Sequence, residues 1–181
     1  MSAATERIAP SSVLLDRYDV PVPRYTSYPT VPYWSNDPTT EQWLDELRRA
    51  AARPEATWAV YLHIPFCESL CTFCGCNNVI TRNHDNEEPY VELITAEWSK
   101  YLEAVPDLGK RPLRQLHLGG GTPTFLSPSN LKRLIAPLLE RVSFRSEEFD
   151  ASVEVNPRVT SREHLQALRE VGFTRVSMGV Q

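Results

Sequence analysis

Apolar and polar residues follow two periods along the chain, and the change from one to the other predicts where strands give way to helices. Short apolar runs predict four strands, in "TWAVYLHIP" (57–65), "LRQLHLGGGTP" (113–123), "ASVEVNP" (151–157) and "TRVSMGVQ" (174–181). The apolar residues of the first run predict a strand that is buried on both faces.

Between and before these strands, apolar residues recur every three or four positions, which predicts helices. The segments are "TTEQWLDELRRAA" (39–51), "EEPYVELITAEWSKYLEAV" (87–105), "PSNLKRLIAPLLERV" (128–142) and "TSREHLQALREVGF" (160–173). In the second segment one helical face carries Val91, Ile94, Trp98, Tyr101 and Val105. These faces are expected to cover the sheet.

Residues with strong preferences for helix ends mark the boundaries of two of these helices. Ser127 is expected to cap the third helix, and Pro137 inside it should kink or split it. Thr160 and Glu163 fit a capping box for the fourth helix, and Gly172 fits its left-handed end.

Strands that alternate with helices predict an α/β fold with parallel strands joined by right-handed crossovers. We expect residues 1–52 to form an irregular N-terminal leader and one helix, and residues 53–181 to form part of a (β/α) barrel. Four strands with three crossovers are half of such a barrel. The sequence therefore predicts a truncated chain with an exposed edge, prone to aggregate and inactive alone.

Composition and charge exclude several classes of protein. The chain has 41% hydrophobic residues, a formal net charge of −4 and no apolar run of membrane-spanning length. We therefore expect neither a nucleic-acid partner nor a membrane partner. No signal peptide is recognisable, so a reducing, cytoplasmic location is expected, where clustered cysteines more often bind metal than form disulfides.

All four cysteines, Cys67, Cys71, Cys74 and Cys76, lie within ten positions on the loop after the first strand. Three interpretations remain open: disulfides, a four-thiolate zinc site, or an iron–sulfur cluster held by three cysteines. Only Gly75 separates Cys74 from Cys76, which argues against one tetrahedral ion. The spacing C-x3-C-x2-C lets a short loop wrap a four-iron cluster. The loop leaves the carboxyl end of its strand, where active sites of parallel barrels collect.

The motif C-x3-C-x-aromatic-C on a loop after the first barrel strand resembles the signature of the radical S-adenosylmethionine enzymes. Together, "YLHIPFCESLCTFCGCN", "QLHLGGGTPTFL", "SVEVNPR" and "GFTRVSMGVQ" resemble the oxygen-independent coproporphyrinogen III oxidases of that superfamily, as does the leader "PRYTSYPT". The resemblance extends from about residue 18 onward. It implies a partial barrel of the radical S-adenosylmethionine type.

The resemblance implies that Cys67, Cys71 and Cys74 hold a [4Fe–4S] cluster. Cys76 would instead line the neighbouring cofactor pocket and serve catalysis, and it separates these enzymes from related haem-chaperone proteins that share the triplet. The alternative for Cys76 is a small buried thiol.

Two molecules of S-adenosylmethionine are also implied. The resemblance assigns Tyr61, Gly120 and Glu154 to the first molecule, Phe73, Gly121, Thr122 and Gln181 to the second, and Gly75 to cofactor binding in general. Without the cysteines the glycine triplet would indicate only a tight turn. The alternative for Glu154 is a buried ion pair with an arginine. Asn156 stands where the family usually has aspartate.

Other polar residues are weaker candidates. His63 and His117 lie in strands that lead into the site, and we assign neither a catalytic role, although His63 can hydrogen-bond the cysteine loop. Arg24, Arg82 and Arg158 are candidates to bind substrate carboxylates, because arginine pairs with them through two hydrogen bonds.

By resemblance, the cluster reduces S-adenosylmethionine to methionine and a 5′-deoxyadenosyl radical, which removes hydrogen from a substrate propionate. Loss of carbon dioxide and an electron leaves a vinyl group. Two such steps turn coproporphyrinogen III, a small porphyrinogen substrate, into protoporphyrinogen IX. An external one-electron donor such as a flavodoxin or ferredoxin is expected, and a monomer at full length. The alternatives are a haem-chaperone relative without this activity and a zinc-stabilised interaction module.

Overall fold

The structure, a computed structural model, describes residues 12–19, 31–35, 38–142 and 145–180, without the side chains of residues 31 and 146. The leader motif "PRYTSYPT", Arg24 and Gln181 lie outside the described residues. The chain divides into two units, Met1–Thr39 and Thr40–Gln181. In the first unit the structure shows the helix α1 (Ser12–Tyr18) and a 3₁₀ turn, Val31–Tyr33, where the sequence predicted an irregular leader.

The second unit alternates strands and helices in the predicted order. Its elements are α2 (Thr40–Ala52), β1 (Trp58–Ile64), β2 (Phe66–Cys67), β3 (Val79–Ile80), α3 (Glu87–Ala104), β4 (Leu113–Gly120), α4 (Pro128–Glu140), β5 (Arg145–Val155), α5 (Arg162–Glu170) and β6 (Arg175–Met178). Three further 3₁₀ turns are His84–Asn86, Pro106–Lys110 and Pro123–Phe125.

Strands β1, β4, β5 and β6 form one parallel sheet in the order β1-β4-β5-β6, which confirms the predicted α/β architecture. The register pairs Tyr61 with His117 and Leu118 with Val153. Because all strands run in one direction, their carboxyl ends lie at the same edge of the sheet. The short parallel pair β2–β3, which sequence periodicity did not predict, encloses the cysteine loop, residues 67–77.

The core lies between this sheet and α3, α4 and α5. Its fully buried members include Ile64, Leu116, Leu118, Leu131, Leu134, Ile135, Val153 and Leu168. Helix α3 packs on α4, and α4 packs on α5. The predicted stripe of α3 faces inward, and its Trp98 stacks on Trp58 of β1 at 5.3 Å between ring centroids. None of the helices in the described ranges is long and apolar enough to cross a bilayer.

Strand β1 departs from the prediction of burial on both faces. Leu62 and Ile64 are buried, but Ala59 and Tyr61 are exposed. The exposed residues of β1 alternate with residues that belong to the core or pack against it, so in the described part of the chain one face of the strand packs on the helices and the other is open. A short apolar run does not show that only one face is covered.

The helix ends agree with the sequence in part. Ser127 caps α4 by accepting a hydrogen bond from the Asn130 N–H, as predicted. Helix α4 continues through Pro137, so the predicted split is wrong. The capping box of α5 uses Ser161 with His164 rather than Thr160 with Glu163. The Thr160 hydroxyl is already bonded to the Asn156 carbonyl and so does not cap the helix.

Candidate functional site

A cavity of about 580 Å³ opens at the carboxyl ends of the sheet strands. The cysteine loop forms one wall, and the glycine turn, residues 119–123, forms another together with the ends of β5 and β6. Of the predicted site residues, Cys67, Cys71, Phe73, Cys74, Gly75, Cys76, Gly120, Gly121, Thr122 and Glu154 all line this cavity. Residues far apart in the sequence thus meet in one place.

The four cysteines are free thiols in the structure, so the disulfide interpretation has no support here. Cys67 is half-buried, and its Sγ lies 3.4 Å from the Thr122 Oγ1. Cys71, Cys74 and Cys76 are exposed, and the Asn78 amide donates a hydrogen bond to Cys74 Sγ at 3.3 Å. Asn78, which the sequence did not single out, therefore holds the loop through one of its thiols.

The thiols supply the donor chemistry that an iron–sulfur cluster needs. Among the described residues, no three histidine, cysteine or acidic side chains converge as a single metal ion requires. A four-iron cluster spreads its thiolate ligands over separate irons and needs no such convergence. Cys67, Cys71 and Cys74 face one open cavity large enough for a cluster and a cofactor, so the donor set suits the group.

The glycine turn packs directly against the root of the cysteine loop. The Gly121 N–H donates to the Ile64 carbonyl at 2.8 Å, and the Thr122 N–H donates to the Phe66 carbonyl at 2.9 Å. A Cβ at Gly121 would lie 2.7 Å from the Pro65 carbonyl oxygen and 2.9 Å from Cys67 Sγ. Glycine is required here because the two backbones touch.

Tyr61 and His63 connect β1 to the cysteine loop. The His63 Nε2–H donates to the Asn77 carbonyl at 2.7 Å, which confirms the predicted bond to this loop. His63 Nδ1 is then an acceptor, and the Tyr61 hydroxyl donates to it at 3.0 Å. Partial burial, and then the charge of Glu154, raise the pKa of Tyr61, so the phenol stays protonated.

Tyr61 is set slightly apart from the other candidates. Its ring stacks on His117 at 5.8 Å, but it lines a neighbouring cavity of about 430 Å³ between β1, α2 and α3. That smaller cavity is mostly apolar and contains no cysteine. We place the candidate site in the larger cavity because the thiols, the carboxylate and the glycine turn meet there.

Glu154 projects from the end of β5 into the cavity and is exposed rather than buried among the valines of its strand. Among the described residues its nearest ionisable partner is His117, whose Nε2 lies 3.7 Å from Oε1, and not an arginine. Ser152 lies 2.8 Å from His117 Nδ1 and fixes that ring from its other side. The carboxylate is thus oriented yet open to a ligand.

Cys76 and Phe73 lie on the open side of the loop. The Cys76 side chain is exposed, so a small buried thiol is not what the structure shows. Partial burial of its sulfur and the neighbouring Cys74 raise the pKa of Cys76. Phe73 is 99% exposed and faces the cavity without packing on the core.

The remaining candidates differ in position. Asn156 lines the cavity, and its side-chain oxygen accepts from the Arg158 N–H at 3.0 Å, so it stabilises the turn after β5. Arg158 also lines the cavity, whereas Arg82 is exposed and does not.

A family model and several curated proteins that are similar to this chain point to the same family. The family model described as "Radical SAM superfamily" matches residues 61–181. The chain is 39% identical over 168 residues to the oxygen-independent coproporphyrinogen III oxidase of Escherichia coli K12, covering 93% of this chain and 35% of that protein. It is 38% identical over 174 residues to the enzyme of the same name from Pseudomonas aeruginosa, covering 93% and 36%.

A solved structure supports the same assignment. Coproporphyrinogen III oxidase (HemN) from Escherichia coli, described as a radical SAM enzyme, superposes with a TM-score of 0.76 at 38% identity, over 93% of this chain and 36% of that one. The chain spans about a third of the length of the curated relatives it matches. With the cysteine motif, the parallel sheet and the cavity at its carboxyl edge, these matches show that the chain belongs to the radical SAM superfamily.

Proposed function

We propose that this chain binds a [4Fe–4S] cluster through Cys67, Cys71 and Cys74 and serves the oxygen-independent oxidation of coproporphyrinogen III. In this reaction two propionates become the vinyl groups of protoporphyrinogen IX. The observation that carries the proposal is the meeting of the three thiols, the glycine turn and Glu154 around one cavity. The names of the relatives support the substrate.

Two molecules of S-adenosylmethionine would occupy the space beside the cluster. When bound, the cluster and this cofactor supply a carbon-centred radical that removes hydrogen from the substrate. Tyr61, Gly120 and Glu154 would bind the first molecule, Phe73, Gly121, Thr122 and Gln181 would bind the second, and Gly75 would contribute to cofactor binding in general. The exposed Glu154 carboxylate can accept hydrogen bonds, and the backbone of the glycine turn allows close approach.

Cys76 and Arg158 are the residues through which the chain would meet the substrate side of the site. Cys76 lies at the cavity wall and would serve catalysis there. Arg158 lines the same cavity, and its guanidinium would pair with a propionate carboxylate. An external one-electron donor such as a flavodoxin or ferredoxin and a cytoplasmic location complete the proposal, and the four free thiols suit a reducing compartment.

The cluster is tested by anaerobic reconstitution of the 181-residue chain with iron and sulfide. We expect about four irons and about four sulfides per chain. Alanine at Cys67, Cys71 or Cys74 should abolish the cluster, and Cys76→Ala should retain it. One zinc without sulfide would instead indicate the interaction module, and loss of the cluster in Cys76→Ala would contradict the ligand assignment.

The substrate is tested with coproporphyrinogen III that carries deuterium on its propionate β-carbons. With reductant and S-adenosylmethionine, deuterium should appear in 5′-deoxyadenosine, and carbon dioxide should be released. The assay is run on the 181-residue chain and on the whole open reading frame that encodes it. Cofactor cleavage that transfers no deuterium in either, together with stoichiometric haem binding, would identify a haem carrier and overturn the substrate assignment.

A further inference from the structure

A buried carboxylate outside the proposed ligand set lies behind the two walls of the cavity. Glu87, the first residue of α3, is 4% exposed. Its Oε2 accepts hydrogen bonds from the Ser127 N–H and the Asn130 amide, each at 2.7 Å. Its Oε1 accepts from His84 Nδ1, also at 2.7 Å. No pattern in the sequence singles out this residue, because glutamate is ordinarily exposed.

His84 extends the contacts of Glu87 to the cysteine loop. Its Nε2 lies 3.4 Å from Oε1 of Glu68, the residue that follows Cys67. The imidazole also stacks on Phe125 with 4.3 Å between ring centroids and 10° between planes. Phe125 in turn packs on Phe66, the residue that precedes Cys67. His84 is therefore linked to both sides of the loop root, directly to Glu68 and through Phe125 to Phe66.

The three side chains connect segments that are distant in the sequence. Through Ser127 and Asn130 the carboxylate of Glu87 is bonded to the segment that follows the glycine turn. Through His84 and Glu68 it is linked to the start of the cysteine loop. These are the walls that meet where Cys67 Sγ contacts Thr122. We call the side chains of Glu68, His84 and Glu87 the Glu68–His84–Glu87 network.

The electrostatics of the network favour a charged, ordered arrangement. Burial alone would raise the pKa of Glu87, but hydrogen bonds from Asn130, Ser127 and His84 outweigh it and lower the pKa. The hydrogen bond to Glu87 raises the pKa of His84. A buried carboxylate with its donors in place resists displacement, because losing any one of them leaves charge poorly compensated.

We propose that Glu87 and His84 are positioning residues that fix the root of the cysteine loop against the glycine turn and so hold Cys67 in place for the cluster. The inference rests on the proposed function in so far as Cys67 is a ligand. A purely structural role for Glu87, as an anchor of the start of α4, would involve Ser127 and Asn130 alone. Such a role does not require the contact between His84 and Glu68, which is present.

The rate of thiol alkylation at each cysteine of the reduced, cluster-free chain tests the role of the Glu68–His84–Glu87 network. His84→Phe keeps a ring to stack on Phe125 and removes both nitrogens, and Glu87→Gln removes the charge. Each should make labelling of the half-buried Cys67 by iodoacetamide about five- to tenfold faster, as expected when a charged hydrogen bond no longer opposes local opening. The three exposed cysteines should change little and are the internal control.

Glu88→Gln is the matched control variant. Glu88 is adjacent to Glu87 but exposed, and it pairs with Arg133 at 2.9 Å on the outer surface. Its replacement should leave all four labelling rates unchanged. Glu68→Ala should reproduce part of the effect of His84→Phe, because it removes the contact between His84 and Glu68 but leaves the one between His84 and Glu87. The double variant should add nothing to His84→Phe, which already lacks both contacts.

The reconstituted proteins supply the second measurement. The His84→Phe cluster should be lost to an iron chelator about five- to tenfold faster than the wild-type cluster, by the same local opening. If Glu87→Gln does not fold, His84→Phe decides, since the His84 side chain is 49% exposed and Glu87 keeps its hydrogen bonds from Ser127 and Asn130 in that variant. Unchanged Cys67 labelling in folded His84→Phe, or equal acceleration at all four cysteines, would overturn the proposal. A wild-type chain that holds no cluster would refute the proposed function, while the alkylation contrast would still test the network.

Discussion

The two walls of the cavity are held in place by different means. Residues 122–126, at the end of the glycine turn and just beyond it, are all buried, and Phe125 is 2% exposed. On the cysteine loop, residues 69–77 are all exposed, and Phe73 is 99% exposed. One wall is fixed by the hydrophobic core. The other is held at its ends and at a few side-chain contacts, and its remaining order must come from what it binds.

The ends of the cysteine loop show how little backbone bonding holds it. The Val79 N–H donates to the Pro65 carbonyl at 2.8 Å, and the Thr81 N–H donates to the Cys67 carbonyl at 2.9 Å. Between these points the recorded contacts come from Asn78, His63 and the Glu68–His84–Glu87 network. Metal binding to such a segment is coupled to its ordering, so ligand binding and local folding are one process.

The largest expected contrast is between two phenylalanines, one in each wall. Phe125→Ala should lower the free energy of unfolding by about 3–5 kcal/mol, because it opens a cavity among buried rings. Phe73→Ala should change it by less than about 0.5 kcal/mol, as is usual for an exposed site. Urea unfolding of the cluster-free chain measures both. Equal losses would mean that the cysteine loop is packed after all.

Two glycines give the next contrast. At Gly121 a Cβ would lie 2.7 Å from a backbone oxygen, so Gly121→Ala should cost about 1–3 kcal/mol through overpacking. At Gly75 an added Cβ meets nothing within 4 Å, so Gly75→Ala should stay within about 0.5 kcal/mol. The same urea titration decides. A neutral Gly121→Ala would show that the glycine turn can move away from the loop.

At the end of β5, which forms one cavity wall together with the glycine turn, a change of charge at Glu154 should not unfold the protein. Glu154→Gln should keep the fold and the cluster but weaken S-adenosylmethionine binding about tenfold, the typical effect of losing one charge-assisted hydrogen bond. Glu148→Gln is the control, since Glu148 lies on the same strand and pairs with Arg114 at 2.6 Å. Calorimetry on the reconstituted proteins measures the affinity. Equal affinity in both variants would leave Glu154 a structural partner of His117.

The smallest expected effect is a pH-dependent contribution of His84, which contacts the cysteine loop through Glu68, to the free energy of unfolding. The hydrogen bond to Glu87 raises the folded-state pKa of His84, and Glu68 and Glu87 are the charged groups recorded around it. Its stabilisation is fully present below the unfolded-state pKa of about 6.5 and is lost as pH rises through the raised folded value. Wild type should therefore exceed His84→Phe in stability by more at about pH 6 than at about pH 9, by less than about 1 kcal/mol for this half-exposed ring. The same difference at both pH values would show that His84 acts by packing alone.

The fold was largely predictable because helix and strand periods differ and alternate cleanly along this chain. The stripe on α3 and the Ser127 cap were read directly from the sequence. The open face of β1 was not, since a short apolar run does not show that only one face of a strand is covered. The cap of α5 was misplaced by one residue, because the hydroxyl of Thr160 bonds a carbonyl that only the fold brings near.

The site, like the fold, has residues that the sequence predicts and residues that it does not. The cysteine spacing and the glycine triplet are short-range signals, and the structure places them at one cavity. Glu87, His84 and Asn78 act through contacts with segments or atoms that no local pattern specifies. Glu87 meets Ser127 and Asn130 some forty positions away. Such residues are visible only when the strands have been arranged.

The parallel pairing of β1 with β4 also affects the order of events during synthesis of the chain. Within the described residues β1 pairs with β4 alone, residue 61 with residue 117, so a ribosome adding about 5–20 residues per second takes about 3–11 s to supply that partner. During that interval the four thiols have been made, but the glycine turn against which Cys67 rests has not. Long-range pairing of this kind also folds slowly. If the chain holds the proposed cluster, delivery of iron and sulfide is thus expected to follow synthesis of the sheet.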